Sequence, residues 1–207
     1  MKVLLINGSP HKSGTTYTAL CEAERILREE GAETEILQIG SKEIRGCSGC
    51  LSCKKTGKCI FNDGVNEAAE KFEEADGIII GSPVYYASPN GTLISFLDRL
   101  FYSSHFDKSA KVGAAVVCAR RGGCTASFDV LNKYLSISGM PIATSTYWNQ
   151  VHGAVAEDAA QDLEGLQTMR NLARNMAFLI KAIKLAKAEY GMPTLERGAR
   201  TNFIKKA

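Results

Sequence analysis

No apolar run in this sequence approaches the roughly 20 residues that cross a bilayer. Stretches such as Ile78-Ile79-Ile80 are soon interrupted, so no membrane role is expected. A surplus of one charge is missing too. Twenty-five Lys and Arg against 22 Asp and Glu leave a net +3 with the basic residues dispersed, which makes no case for a nucleic-acid partner. Met1-Lys2 leads straight into a strand pattern, without the apolar region and cleavage site of a secretory signal. Internal repeats and low-complexity linkers are also lacking. Seven cysteines is an odd number in a chain large enough to do without disulfides. That favours a reducing cytoplasm, with thiols kept free or used as ligands.

What is present is a chain of 207 residues, 45% hydrophobic, enough for a single domain with a full core. Apolar runs of strand length (Val3–Ile6, Glu33–Ile39, Gly77–Gly81, Val112–Ala119 and Pro141–Tyr147) alternate with helical patterns. The helices are expected near Thr16–Glu30, Val65–Ala75, Asn90–Tyr102, Thr125–Ser138 and Asp162–Tyr190. Continuous apolar strands in βαβ order predict an α/β fold, a doubly wound parallel sheet covered on both faces. Gly31 suits a helix C′ position, and Ser88-Pro89 suits an N-cap followed by proline. Leu93, Phe96, Leu97, Leu100 and Phe101 form one buried stripe. Leu172, Met176, Leu179, Ile183 and Ala186 form another, with Lys181, Lys184 and Lys187 as a solvated face. A cysteine-rich insert occupies about 40–63, and an irregular tail about 191–207.

Ligands of such sheets sit at the carboxyl ends of the strands, here the loops 8–16, 82–92 and 119–125. In the first, Ser9, Ser13, Thr15, Thr16 and Lys12 surround the start of a helix, a natural anion socket. An ordinary βα turn uses the same residue types. The loop lacks G-x-G-x-x-G spacing, and strand 2 ends without an acid to hold a ribose. Gly14 is followed by Thr15, not by the Lys-Ser/Thr of a Walker loop, and Cys118 has no arginine six residues on. A cradle for one terminal phosphate remains. The second loop places Pro83, Val84, Tyr85 and Tyr86 where a planar ring can lie, although these tyrosines also suit core packing or a subunit contact. In the third, Arg120, Arg121, Gly122 and Gly123 combine charge with close backbone approach, or form a flexible turn.

The motifs GSPHKSGTT (8–16) and GSPVYYASPNGTLISFLDR (81–99), with the glycine-rich third loop, resemble the NADPH-dependent FMN reductase family over about residues 1–185. The resemblance implies a flavodoxin-like five-stranded parallel sheet in order 2-1-3-4-5, with FMN across the three loops. It implies that Ser9, His11, Lys12, Ser13, Thr15 and Thr16 hold the phosphate, His11 standing where many relatives have arginine. Pro83, Val84, Tyr85 and Tyr86 would line the ring system with Asn90 nearby, and Arg120 and Gly122 would close it. NAD(P)H is then the electron donor. Arg120 or Arg121 would stabilise the reduced flavin, and no side chain is required as a general base. The acceptor is a quinone, a flavin, an azo or nitro compound, or a protein. A homodimer or homotetramer is implied, with Tyr102, His105 and Trp148 as candidate subunit contacts or ordinary packing residues.

Cys47, Cys50, Cys53 and Cys59 follow C-x2-C-x2-C-x5-C. Three cysteines at spacings of three, closed by a fourth, suit a cuboidal cluster of the ferredoxin type. Structural zinc more often takes two separated C-x2-C knuckles. Lys54, Lys55 and Lys58 would offset the thiolate charge. The same insert is similar to that of the iron-sulfur flavoproteins, which implies a [4Fe-4S] cluster; free thiols or a disulfide are the alternatives. Cys21, Cys118 and Cys124 read as small buried residues. Three functional readings follow: an FMN-dependent NAD(P)H oxidoreductase, an electron carrier with its cluster fed by ferredoxin, and a non-catalytic FMN-binding or redox-sensing module.

Overall fold

In the computed structural model, which describes residues 1–196, 198, 199 and 201, β1 (Lys2–Asn7) lies inside a parallel sheet. It pairs on one side with β2 (Glu33–Gln38) and on the other with β3 (Gly77–Tyr85). Beyond β3 come β5 (Val112–Ala119) and β6 (Gln150–His152), giving the order β2-β1-β3-β5-β6. A two-residue strand, β4 (Ser88–Pro89), turns back on β3. Without that hairpin strand the order is the expected 2-1-3-4-5.

The alternation of side chains divides the apolar strands between two faces. Leu5, Ile79, Ala114 and Val116 pack under α1 (Thr15–Glu29) and α7 (Leu163–Tyr190). Leu4, Ile6, Ile78, Ile80 and Ala115 pack under α3 (Val65–Glu74), α4 (Gly91–Ser103) and α5 (Cys124–Ile137). Each fully buried aliphatic side chain contributes roughly 1.5–3 kcal/mol. The α4 stripe is buried at Leu93, Phe96, Leu97 and Leu100 and half-buried at Phe101. Two short helices, α2 (Cys53–Thr56) and α6 (Ala156–Gln161), complete the set.

Four expectations need correction. The fifth strand is displaced. Residues 141–143 touch β5 only through the Gly113–Ile142 bridge and its neighbouring backbone bonds, and the pairing strand is Gln150–His152. The chain leaves the sheet at Ser145, whose hydroxyl bonds to the Thr168 carbonyl, and returns at Asn149, whose side-chain amide donates to the Ala115 carbonyl. Ser88-Pro89 does not cap α4, because it belongs to the hairpin; Asn90 is the cap. Ala186 is exposed. The lysine face of α7 is not merely solvated, since Lys181 pairs with Glu30 and Lys184 with Asp76. Gly31, at φ 85°, holds the expected C′ conformation. Residues 191–196 carry no helix or strand, and the last part of the tail lies outside the described residues.

Candidate functional site

At the carboxyl edge of the sheet is a cleft of about 560 Å³, well within the size range of small-molecule sites. Its first wall is the turn from β1 into α1. Asn7 organises that turn by accepting from the Ser9 amide and donating to Gln38, which in turn donates to the Ser9 carbonyl. Gly8 and Gly40 are required by close approach. A Cβ on Gly8 would come within 2.8 Å of the Gly81 carbonyl, and one on Gly40 would overlap the Gly8 carbonyl. α1 begins after Gly14 with no side-chain cap and no acid in its first turn, so its leading amides and positive end are free for an anion.

Ser9, His11, Ser13, Thr15 and Thr16 all line the cleft; Lys12 does not, and it is exposed. Two hydroxyls have other work. Ser9 accepts from the His11 amide and so braces the turn. Thr15 donates to the carbonyls of Gly153, at 3.3 Å, and Val155, at 3.1 Å.

The second wall is the end of β3, with Pro83, Val84 and the 43%-exposed Tyr85. Tyr86 stands outside the cleft, fully exposed. It occupies a two-residue hairpin turn with Ala87, at φ 51° and 56°. Such a turn needs left-handed backbone at both positions, so the tyrosine side chain is carried outward. Asn90 is 7% exposed and also outside the cleft. Its side-chain oxygen accepts from the Thr92 and Leu93 amides, making it the α4 cap.

Arg120 lines the third wall, whereas Arg121 and Gly122 do not. The glycine that matters there is Gly123, at φ 94°. A Cβ on it would come within 2.9 Å of Val84 and 3.0 Å of Ala87. Cys118 also lines this wall; burial pushes its thiol up to about 12, so it is neutral and unreactive at physiological pH.

Sequence reasoning missed the fourth wall, Gly153 to Glu157. Gly153 lets α6 pack closely, since a Cβ there would reach within 2.7 Å of the Ala159 amide. Asp158 accepts from the Ala154 and Val155 amides. The acid-rich first turn of α6 was the available signal.

A second cavity gathers Cys47, Cys50, Cys53 and Cys59 with Arg99 and Tyr102. Left-handed backbone on either side of Cys50, Gly49 at φ 66° and Leu51 at φ 59°, shapes the chain through the first three thiols. No disulfide joins any cysteine. Among the described residues, no three His, Cys, Asp or Glu side chains converge on a single-ion position. Four cysteine thiols lining one space are the donor set of a ferredoxin-type cluster. The enclosed space is about 20 Å³, enough for a water. Cys47 and Cys50 are exposed at its rim. Tyr102, His105 and Trp148 are exposed.

Strand order and cleft position together define a flavodoxin-like protein. Residues 1–154 match the family described as NADPH-dependent FMN reductase; the chain belongs to that family, and FMN is its cofactor. It is 37% identical over 192 residues to an iron-sulfur flavoprotein of Methanocaldococcus jannaschii, covering 89% of this chain and 100% of that relative. Among solved structures it is similar to RosB with bound 8-demethyl-8-formylriboflavin-5'-phosphate, at TM-score 0.72 and 17% identity, covering 100% and 93% of the two chains. It is also similar to an archaeal flavodoxin, at TM-score 0.60 and 15% identity, covering 87% and 99%. At these identities the structures speak to the fold. Among the described residues no helix is long and apolar enough to cross a membrane.

Proposed function

We propose that the cleft binds FMN with its phosphate against the start of α1 and its ring system along Pro83, Val84 and Tyr85. In this reading the protein is an oxidoreductase that draws electrons from NAD(P)H. The observation that carries it is the continuity of the cleft, which joins uncapped helix amides at one end to Tyr85 and Arg120 at the other. Bound FMN supplies the electron chemistry at its ring.

The chain supplies position and charge. The α1 amides and the Ser13 and Thr16 hydroxyls receive the phosphate, with His11 beside them. Tyr85 offers a face to the ring, and Arg120 places a cation where negative charge develops on reduction. No cleft side chain is asked to transfer a proton. Anaerobic stopped-flow mixing with NADPH and NADH tests the donor: bleaching of bound flavin within the turnover time supports the reading. Bleaching only by a reduced ferredoxin would establish the carrier instead.

A second reading concerns the insert. Four thiols around one cavity, in a chain similar to an iron-sulfur flavoprotein, support a [4Fe-4S] cluster held by Cys47, Cys50, Cys53 and Cys59. Two exposed ligands make it oxygen-labile. Iron and labile-sulfide assays on protein purified without oxygen test it, and their absence refutes it.

A further inference from the structure

Arg99 is the most deeply buried charge near the thiols, 1% exposed and rooted in α4. Its guanidinium is held on three sides. One terminal nitrogen donates to Asp63 and to the Arg45 carbonyl, at 3.1 Å, and the other donates to the second Asp63 oxygen at 2.8 Å. The Phe61 ring lies 5.0 Å from the guanidinium carbon. This fork leaves Nε–H one direction, and it points at the Cys59 sulfur, 3.3 Å away.

The backbone of Cys59 is fixed independently. Asn66 on α3 accepts from its amide and donates to its carbonyl, both at 2.8 Å. So the fourth cysteine is clamped at both ends, while Cys47 and Cys50 lie on an exposed turn.

A buried Arg–Asp pair is weak evidence of a stabilising role. Replacing such a pair with apolar residues is often neutral or favourable. Asp63 is satisfied by the two terminal nitrogens, and the Nε–H, which that pairing does not use, goes to sulfur. Burial acts to raise the Asp63 carboxyl, but Arg99 outweighs it and holds the group below the usual carboxylate range. The pair therefore stays ionised and the fork stays aimed.

We propose that Arg99 is the positioning residue of the four-cysteine site. It orients Cys59 as a ligand and, through its N–H···S bond, draws electron density from that sulfur. The proposal rests on the cluster reading above. Hydrogen bonds to ligand sulfurs are among the determinants of cluster potential, and residues that orient ligands typically govern metal retention by 10–100-fold. Lysine cannot reproduce this fork, because its ammonium is a point charge on a flexible stem.

The test uses the full chain purified without oxygen, comparing wild type with Arg99→Lys and Asp63→Asn. Arg99→Lys should lose iron to a chelator about 10–100-fold faster and shift the cluster midpoint potential downward. FMN content should stay at the wild-type level, reporting an intact fold. Asp63→Asn keeps the cation but loosens its fork, and should shift both readouts the same way by less. If wild type holds iron and sulfide while both variants keep its retention rate and potential, the inference is overturned and the cluster reading stands. Wild-type protein lacking iron and sulfide overturns both.

Discussion

Asn90 separates two accounts of the second loop. The motif places it near the ring of the cofactor; the structure makes it the cap of α4, with its oxygen accepting from Thr92 at 2.7 Å and Leu93 at 3.3 Å. Asn90→Ala leaves both amides without that partner in a half-buried helix end, a loss of about 1–2 kcal/mol. For a chain of this size each kcal/mol moves Tm by about 2–4 °C, so a fall of about 2–8 °C is expected. Asn90→Asp keeps the acceptor and places negative charge at the helix start, and should recover most of it.

Thermal unfolding followed by circular dichroism, with and without saturating FMN, reads the outcome. Ligand stabilises by an amount set by its affinity. A pure cap role therefore lowers Tm almost equally in both conditions and leaves the FMN dissociation constant within about twofold. An unchanged apo Tm together with a tenfold weaker FMN affinity would refute the cap account and restore Asn90 as a ligand.

Two other perturbations probe different links. Glu157 sits on the cleft wall, where its charge opposes a phosphate. Glu157→Gln should tighten FMN binding by about 0.5–1 kcal/mol, or two- to fivefold, read by quenching of flavin fluorescence at low salt. For Asp76, burial acts to raise the carboxyl, but Lys184, the Lys2 amide and the chain's amino terminus together hold it below its ordinary 3.8. Its stabilisation is thus present above about pH 4 and lost as pH falls further. Asp76→Asn should lower stability across the neutral range and flatten the acid limb of the stability–pH curve, the variant and wild-type curves converging as pH falls below about 4.

Much of this molecule is legible in its residues because buried parallel strands are continuous apolar runs. Val3 to Ile6, Ile78 to Ile80 and Val112 to Ala119 have few other places to go. The first loop is legible because hydroxyl residues and glycine between a strand and a helix narrow the backbone choices. Three features escape for physical reasons. The fourth cleft wall depends on a strand broken at 144–148 and on a six-residue helix too short and polar to show a stripe. Asn90 is ambiguous because one amide group suits a helix cap and a ligand equally well. The outward turn of Tyr86 follows from backbone angles that a tyrosine rarely adopts. Arg99 did leave a signal: it stands three residues after Phe96 at the edge of an apolar stripe, and a charge there needs a partner.

A hydroxyl carries a single proton. At Thr15 that proton is shared between the carbonyls of Gly153 and Val155, fastening the wall after β6 to the first turn of α1. A phosphate drawn to the helix start would compete for the same proton, and loading the cofactor and latching that wall would then be coupled equilibria, with the α1 N-terminus as their common hinge pin.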